Sequence, residues 1–121
     1  MARLILDTNI VVDFLKGEPQ ATPYIRNPAG ANISVITWIE VMAGAKPGEE
    51  LELRNLLAGF RVLQLTPRVA AEAAAIRRAS RIKLPDAVIL ATAKLAGARL
   101  VTRNTKDFRS TDPDVLIPYQ L

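Results

Sequence analysis

Asp7, Glu40 and Asp86 stand among apolar neighbours, where a carboxylate is costly unless something pairs with it. Asp7 ends the run Leu4-Ile5-Leu6, Glu40 lies inside Ile36-Thr37-Trp38-Ile39-Glu40-Val41-Met42, and Asp86 sits in Leu84-Pro85-Asp86-Ala87-Val88. A fourth group, Thr102, Asn104 and Asp107, follows Leu100-Val101. The chain has no histidine and no cysteine. That excludes Ser-His-Asp triads, histidine-pair nucleases, histidine-ligated zinc, thiolate catalysis and disulfides. Hydrolytic chemistry would therefore fall to the carboxylates, whose oxygens suit hard cations such as Mg²⁺ or Mn²⁺.

Each acid also has an ordinary structural use. Asp7 or Thr8 can cap the helix that follows. Thr37 and Glu40 have capping-box spacing, with Glu40 reaching back to the Thr37 N–H. Asp86 follows Pro85 at a helix start, where the helix dipole favours a negative charge. Asn104 can cap a short helical turn with Asp107 in its first turn. Asp13, Glu49, Glu50, Glu52, Glu72, Asp112 and Asp114 read as solvated charges.

These acids need elements to hold them. Arg3–Leu6 reads as a buried strand, and Ile10, Val11, Phe14 and Leu15 give helical spacing over Thr8–Lys16, stopped by Gly17. Asn32–Ile36 reads as a second strand, with a helix from Trp38 to Ala45. A polar helix over Glu49–Leu57 leads to a strand at Arg61–Leu65. Pro67 opens an Ala-rich helix ending near Arg81, and Pro85 opens another that Gly97 closes. Arg99–Thr102 and Val115–Ile117 complete the strands. Such alternation predicts an α/β fold, a three-layer α/β/α sandwich around a mostly parallel sheet of four to five strands. Ligand sites in such sheets lie beyond the carboxyl ends of the strands, which is where Asp7, Glu40 and the 102–107 segment fall.

No repeat or linker interrupts the 121 residues, so one domain over 1–121 is expected; half are hydrophobic, enough for a core. The leading apolar run is too short for a signal peptide, and no stretch approaches the ~20 apolar residues that span a bilayer, so a cytoplasmic setting is expected. A formal charge of +4 and a pI near 9.9 weakly favour a polyanionic partner. Arg77, Arg78, Arg81 and Lys83 precede Asp86, while Arg103, Lys106 and Arg109 flank Asp107; singly they read as solvated faces, together as a basic ring around an acidic pocket.

LILDTNIVVDFLKG, ISVITWIEVMAGA and LPDAVILATAKLAGARLVTRNTKDF resemble the PIN domain in order, type and spacing, from Leu4 to Phe108, and most nearly the VapC-type toxins of toxin–antitoxin pairs. The ordered set of D-T-N, an acid in the second strand–helix unit, D-x-x-I-x-A-x-A and T-R-N-x-x-D-F carries the resemblance. It implies that Asp7, Glu40 and Asp86 bind Mg²⁺ or Mn²⁺. Asn104 stands where many members have Asp, leaving Asn104 and Asp107 as alternatives for the fourth ligand. Thr8, Asn9 and Thr102 would orient the carboxylates. The implied activity is endoribonucleolytic hydrolysis of RNA, with a cognate antitoxin as partner and a homodimer as assembly. Two other readings are a non-catalytic RNA- or protein-binding module of the same fold and an aspartyl-nucleophile phosphatase, against which Asn9 replaces the second Asp that such enzymes need.

Overall fold

The computed structural model describes residues 3–27 and 30–121; Met1, Ala2, Pro28 and Ala29, within the expected 1–121 domain, lie outside the described residues. Strand β1 (Arg3–Leu6) runs into helix α1 (Thr8–Leu15), followed by the short α2 (Thr22–Ile25). Then come β2 (Asn32–Ser34), α3 (Val35–Ala43), α4 (Glu50–Leu57) and β3 (Arg61–Leu63). The chain closes with α5 (Pro67–Ser80), α6 (Leu84–Leu95), β4 (Ala98–Val101) and β5 (Val115–Leu116). The strands form one five-stranded sheet in the order β3-β2-β1-β4-β5, and every pairing is parallel.

Strand residues alternate between faces, and here each face is covered by helices. Ile5, Leu100 and Val115 point to one side, where Val69 and Ala73 of α5 and the continuous buried run Ala87–Ala93 of α6 pack on them. Leu6, Ile33 and Val101 point to the other, against Ile10 and Val11 of α1, Val41 of α3, and Leu53 and Leu57 of α4. Three layers result, as the alternating pattern predicts.

The differences from expectation are local. Strand β2 ends at Ser34, not Ile36, because the Ser34 hydroxyl accepts the Ile36 N–H at 3.0 Å and starts α3 at Val35. The helix expected from Trp38 thus begins three residues earlier, and no Thr37–Glu40 capping box forms. Glu49 is the residue before α4, its carboxylate accepting the Lys46 N–H. Strand β3 stops at Leu63, α6 begins at Leu84, and β4 occupies Ala98–Val101, which puts Thr102 just past its carboxyl end. Strand β5 lacks Ile117, and α2 was not expected from apolar periodicity, being too short to show any.

Candidate metal centre

Asp7 follows β1 and caps α1, so the structural and functional uses of this residue coincide. Its Oδ1 accepts the Thr8 N–H at 2.7 Å, and its Oδ2 accepts the Thr102 hydroxyl at 2.7 Å and the Asn9 amide at 3.2 Å. Only 4% of Asp7 is exposed. Burial pushes its carboxyl upward and outweighs the hydrogen bonds from Thr102, Thr8 and Asn9, while the charge of Glu40 adds to the rise.

Thr102 is the hub beneath this carboxylate. Its hydroxyl donates to Asp7 and accepts from Asn9 Nδ2 at 3.1 Å and from the Asn104 N–H at 3.0 Å, which uses every hydrogen-bonding site of a buried hydroxyl. The Asn9 side-chain oxygen accepts the Arg103 N–H at 3.1 Å, stitching the loop after β4 to the start of α1. Thr8 donates its hydroxyl to Glu40 Oε1 at 2.6 Å, with the buried Thr37 hydroxyl 3.1 Å away. Glu40 itself is exposed, on a helix face turned toward Asp7 rather than into the core. Its apolar sequence neighbours are spread around α3 and do not enclose it.

Asp86 stands half-buried in the first turn of α6. Burial, followed by the negative charges of Asp7, Asp107 and Glu40, pushes its carboxyl up to about 6, against a small opposing pull from Lys83. Asp7, Thr8, Asn9, Glu40, Asp86 and Asn104 line one open cavity of about 350 Å³. Among the described residues none of these acids is in an ion pair, and no three acids converge on one point as the side chains stand. The donors are all oxygens, mutually repelling and rigidly mounted at Asp7, and this chemistry fits a hard divalent cation.

Asn104 and Asp107 do not separate into ligand and bystander. The Asn104 side-chain oxygen accepts the N–H groups of Lys106 and Asp107, both at 3.1 Å, which is the cap expected of it, and its amide donates to Asp107 Oδ2 at 3.0 Å. Asn104 lines the acidic cavity, whereas Asp107 lines the hollow beside it.

One expectation is overturned. Asp13 is not a solvated charge: it is 5% exposed, and Arg103 Nε and a terminal guanidinium nitrogen donate to its two oxygens at 2.5 and 2.9 Å. The Tyr119 hydroxyl adds a third bond at 2.8 Å, and the Arg103 contacts hold the Asp13 carboxyl below its ordinary value. Arg103 is thus paired with Asp13 in the wall of the acidic cavity. Arg77 is engaged too, donating to the carbonyls of Arg81 and Ile82 at 2.5 and 3.0 Å and so closing the end of α5. Arg78 and Lys83 are exposed, and Arg81 and Lys106 line the hollow that holds Asp107. Asp112 and Asp114 also pair, with Lys94, at 3.9 and 2.6 Å. The signal for Asp13 was its position three residues after Ile10, on the inward side of α1. Tyr119 carried none, since the tail that bears it has no periodicity.

The PIN domain family model matches residues 4–112. This chain belongs to the PIN domain family. Ribonuclease VapC10 of Mycobacterium tuberculosis is 30% identical to this PIN domain over 113 residues, covering 87% of this chain and 85% of that one. A solved toxin–antitoxin complex from Klebsiella pneumoniae has a chain 40% identical to it, with a TM-score of 0.90, covering 98% of this chain and 99% of the other. FitAcB from Neisseria gonorrhoeae superposes with a TM-score of 0.77 at 27% identity, over 98% of this PIN domain and 99% of its own chain.

Proposed function

We propose that this PIN domain, taken as one domain over residues 1–121, is a Mg²⁺- or Mn²⁺-dependent endoribonuclease, the toxin of a pair neutralised by a cognate antitoxin. It acts in the cytoplasm as a homodimer. The observation that carries the chemistry is the cavity lined by the carboxylates of Asp7, Glu40 and Asp86, none of them in an ion pair among the described residues, where neighbouring negative charge adds to the rise of Asp7 and Asp86. Likeness to a named ribonuclease supports RNA as the substrate, and likeness to a chain solved in a toxin–antitoxin complex supports the partner.

In this reading Asp7, Glu40 and Asp86 hold the cation, with Asn104 or Asp107 supplying a further oxygen. The bound cation would activate water and offset charge developing on the phosphate. The protein's own part is positioning. Thr102 and Asn9 fix Asp7, and Thr8 fixes Glu40, so the oxygens are set before RNA arrives. Glu40 or Asp86 orients the attacking water in line with the scissile bond. The water oxygen bonds to phosphorus, the P–O3′ bond breaks, and the products carry 5′-phosphate and 3′-hydroxyl ends. Incubation with structured RNA in Mn²⁺, Mg²⁺ or EDTA, with the new ends determined, tests the proposal. Cleavage in metal alone with 5′-phosphate ends is expected; cleavage persisting in EDTA, or cyclic phosphate ends, would overturn it.

A further inference from the structure

Beside the acidic cavity, the end of α5 and the loop after β4 enclose two hollows of about 420 Å³ each, which share Ile82, Asp107 and Arg109 in their walls. The more open hollow shows mainly apolar surface, from Ile76, Ile82, Leu90 and Phe108, with the Lys94–Asp112 ion pair also in its wall. The more enclosed one is lined by Arg81, Lys106 and Arg109 together with Asp107. We propose that this continuous cleft is a nucleotide subsite for the RNA substrate, its apolar end taking a base next to the scissile phosphate and its basic rim taking the adjoining phosphates.

The inference rests on the ribonuclease reading and adds where the strand lies. Among the described residues none of Arg81, Lys106 and Arg109 is in an ion pair, so three cations face one carboxylate, Asp107, whose Oδ2 is already bonded to the Asn104 amide. By contrast, Arg103, Lys94 and Arg77 are spent on Asp13, on Asp112 and Asp114, and on backbone carbonyls. The rim is also fixed. Arg77 clamps the carbonyls of Arg81 and Ile82, and Arg81 is held at φ 60°, a left-handed conformation that L residues other than glycine seldom adopt. Such conformations persist where surrounding contacts over-determine them. Asp107 joins the cleft to the metal centre, because it lines both hollows and its Oδ2 accepts the amide of Asn104, which lines the acidic cavity. A strand whose scissile phosphate lies over Asp86 therefore meets the cleft at a neighbouring nucleotide. An apolar hollow that adjoins a cationic one matches a nucleotide: the base leaves water, and the phosphate oxygens keep partners.

The test is fluorescence polarisation of the full chain with a labelled single-stranded RNA oligonucleotide of mixed sequence, in EDTA so that binding is read apart from cleavage. The triple variant Arg81→Gln/Lys106→Gln/Arg109→Gln should bind at least about tenfold more weakly, with the log–log salt slope shallower by about 2, as for three lost phosphate contacts on a single strand. Arg68→Gln, which removes an exposed cation at the far end of α5, should leave binding unchanged. An oligonucleotide with abasic positions should bind the wild type several-fold more weakly, and Ile76→Trp, which fills the apolar hollow, should abolish that difference. Unchanged affinity in the triple variant would overturn the subsite, as would an equal loss in Arg68→Gln. A changed sedimentation coefficient in the triple variant would also overturn it, by assigning the cleft to contact between copies. None of these outcomes depends on turnover, so the nuclease reading stands or falls on its own assay.

Discussion

The Arg103 guanidinium grips Asp13 through both carboxylate oxygens, at 2.5 and 2.9 Å, and so ties the loop after β4 to the middle of α1. The same Arg103 donates its backbone N–H to Asn9, which in turn touches Asp7 and Thr102. An ion pair in the wall of the acidic cavity thus braces the residues that aim Asp7. Asp13→Ala should destabilise the fold by about 2–3 kcal/mol in urea denaturation, less than a fully buried pair because Arg103 retains 28% side-chain exposure. Arg103→Lys should not restore the loss, since an ammonium cannot reproduce the fork. Tyr119→Phe removes one bond to the same carboxylate and should cost about 1 kcal/mol.

Thr102→Val keeps the shape of a fully buried side chain and deletes the hydroxyl that Asp7, Asn9 and Asn104 share. The fold should lose about 1–3 kcal/mol, from polar groups left without a partner. Because the Thr102 bond holds the Asp7 carboxyl down, its loss lets burial raise Asp7 further. Mn²⁺ affinity, followed by calorimetry, should fall about 10- to 100-fold.

Without metal, stability should fall as the pH rises toward neutrality. Asp86 is raised from 3.8 to about 6, and Asp7 is raised as well, so the folded state binds more protons than the unfolded chain across that interval. Their contribution is present at the low end of the window and is lost as they ionise. Asp13 is lowered and acts in a different window: its stabilisation is present above its ordinary 3.8 and is lost only at lower pH. Thermal melts in EDTA should therefore decline from about pH 4 to about pH 6. Asp86→Asn should flatten the decline, and excess Mn²⁺ should reverse it, because ligands must be ionised to bind. Wild-type melts that rise over this interval in EDTA would contradict the shifts.

Arg81→Gly should stabilise the protein by about 0.5–1 kcal/mol, since glycine adopts φ 60° without strain and the Arg77 bond to the residue 81 carbonyl survives. The same change removes a cation from the cleft, so RNA binding should weaken while the melting temperature rises. Stability gained together with function lost is the pattern of a residue kept for a ligand.

Much of this was legible in the chain. The sheet's strands and the long helices follow from Leu4-Ile5-Leu6, from Leu100-Val101 and from the apolar length of α6, all of which bury on known periods. Asp7 and Glu40 could be placed at one edge because strands of a parallel sheet all end on the same side, and Asp86 because it heads the buried helix that returns to β4. What could not be read was pairing over distance. Asp13 finds Arg103 across 90 residues and Tyr119 across 106, and no local pattern encodes either contact. The end of β2 differs from expectation for a local reason. Ser34 caps α3, yet Val35 and Ile36 beyond it have side chains that favour strand.

Whether the carboxylate group around Asp7 holds a cation on which RNA cleavage depends is tested most directly by the cleavage rate of Asp7→Asn beside the wild type in saturating Mn²⁺. Asparagine can still cap α1, so the circular dichroism spectrum should be preserved. The rate should fall by about 10³-fold or more, as expected when several kcal/mol of charge stabilisation are removed. A folded Asp7→Asn variant that cleaves within a few-fold of the wild-type rate would contradict the account.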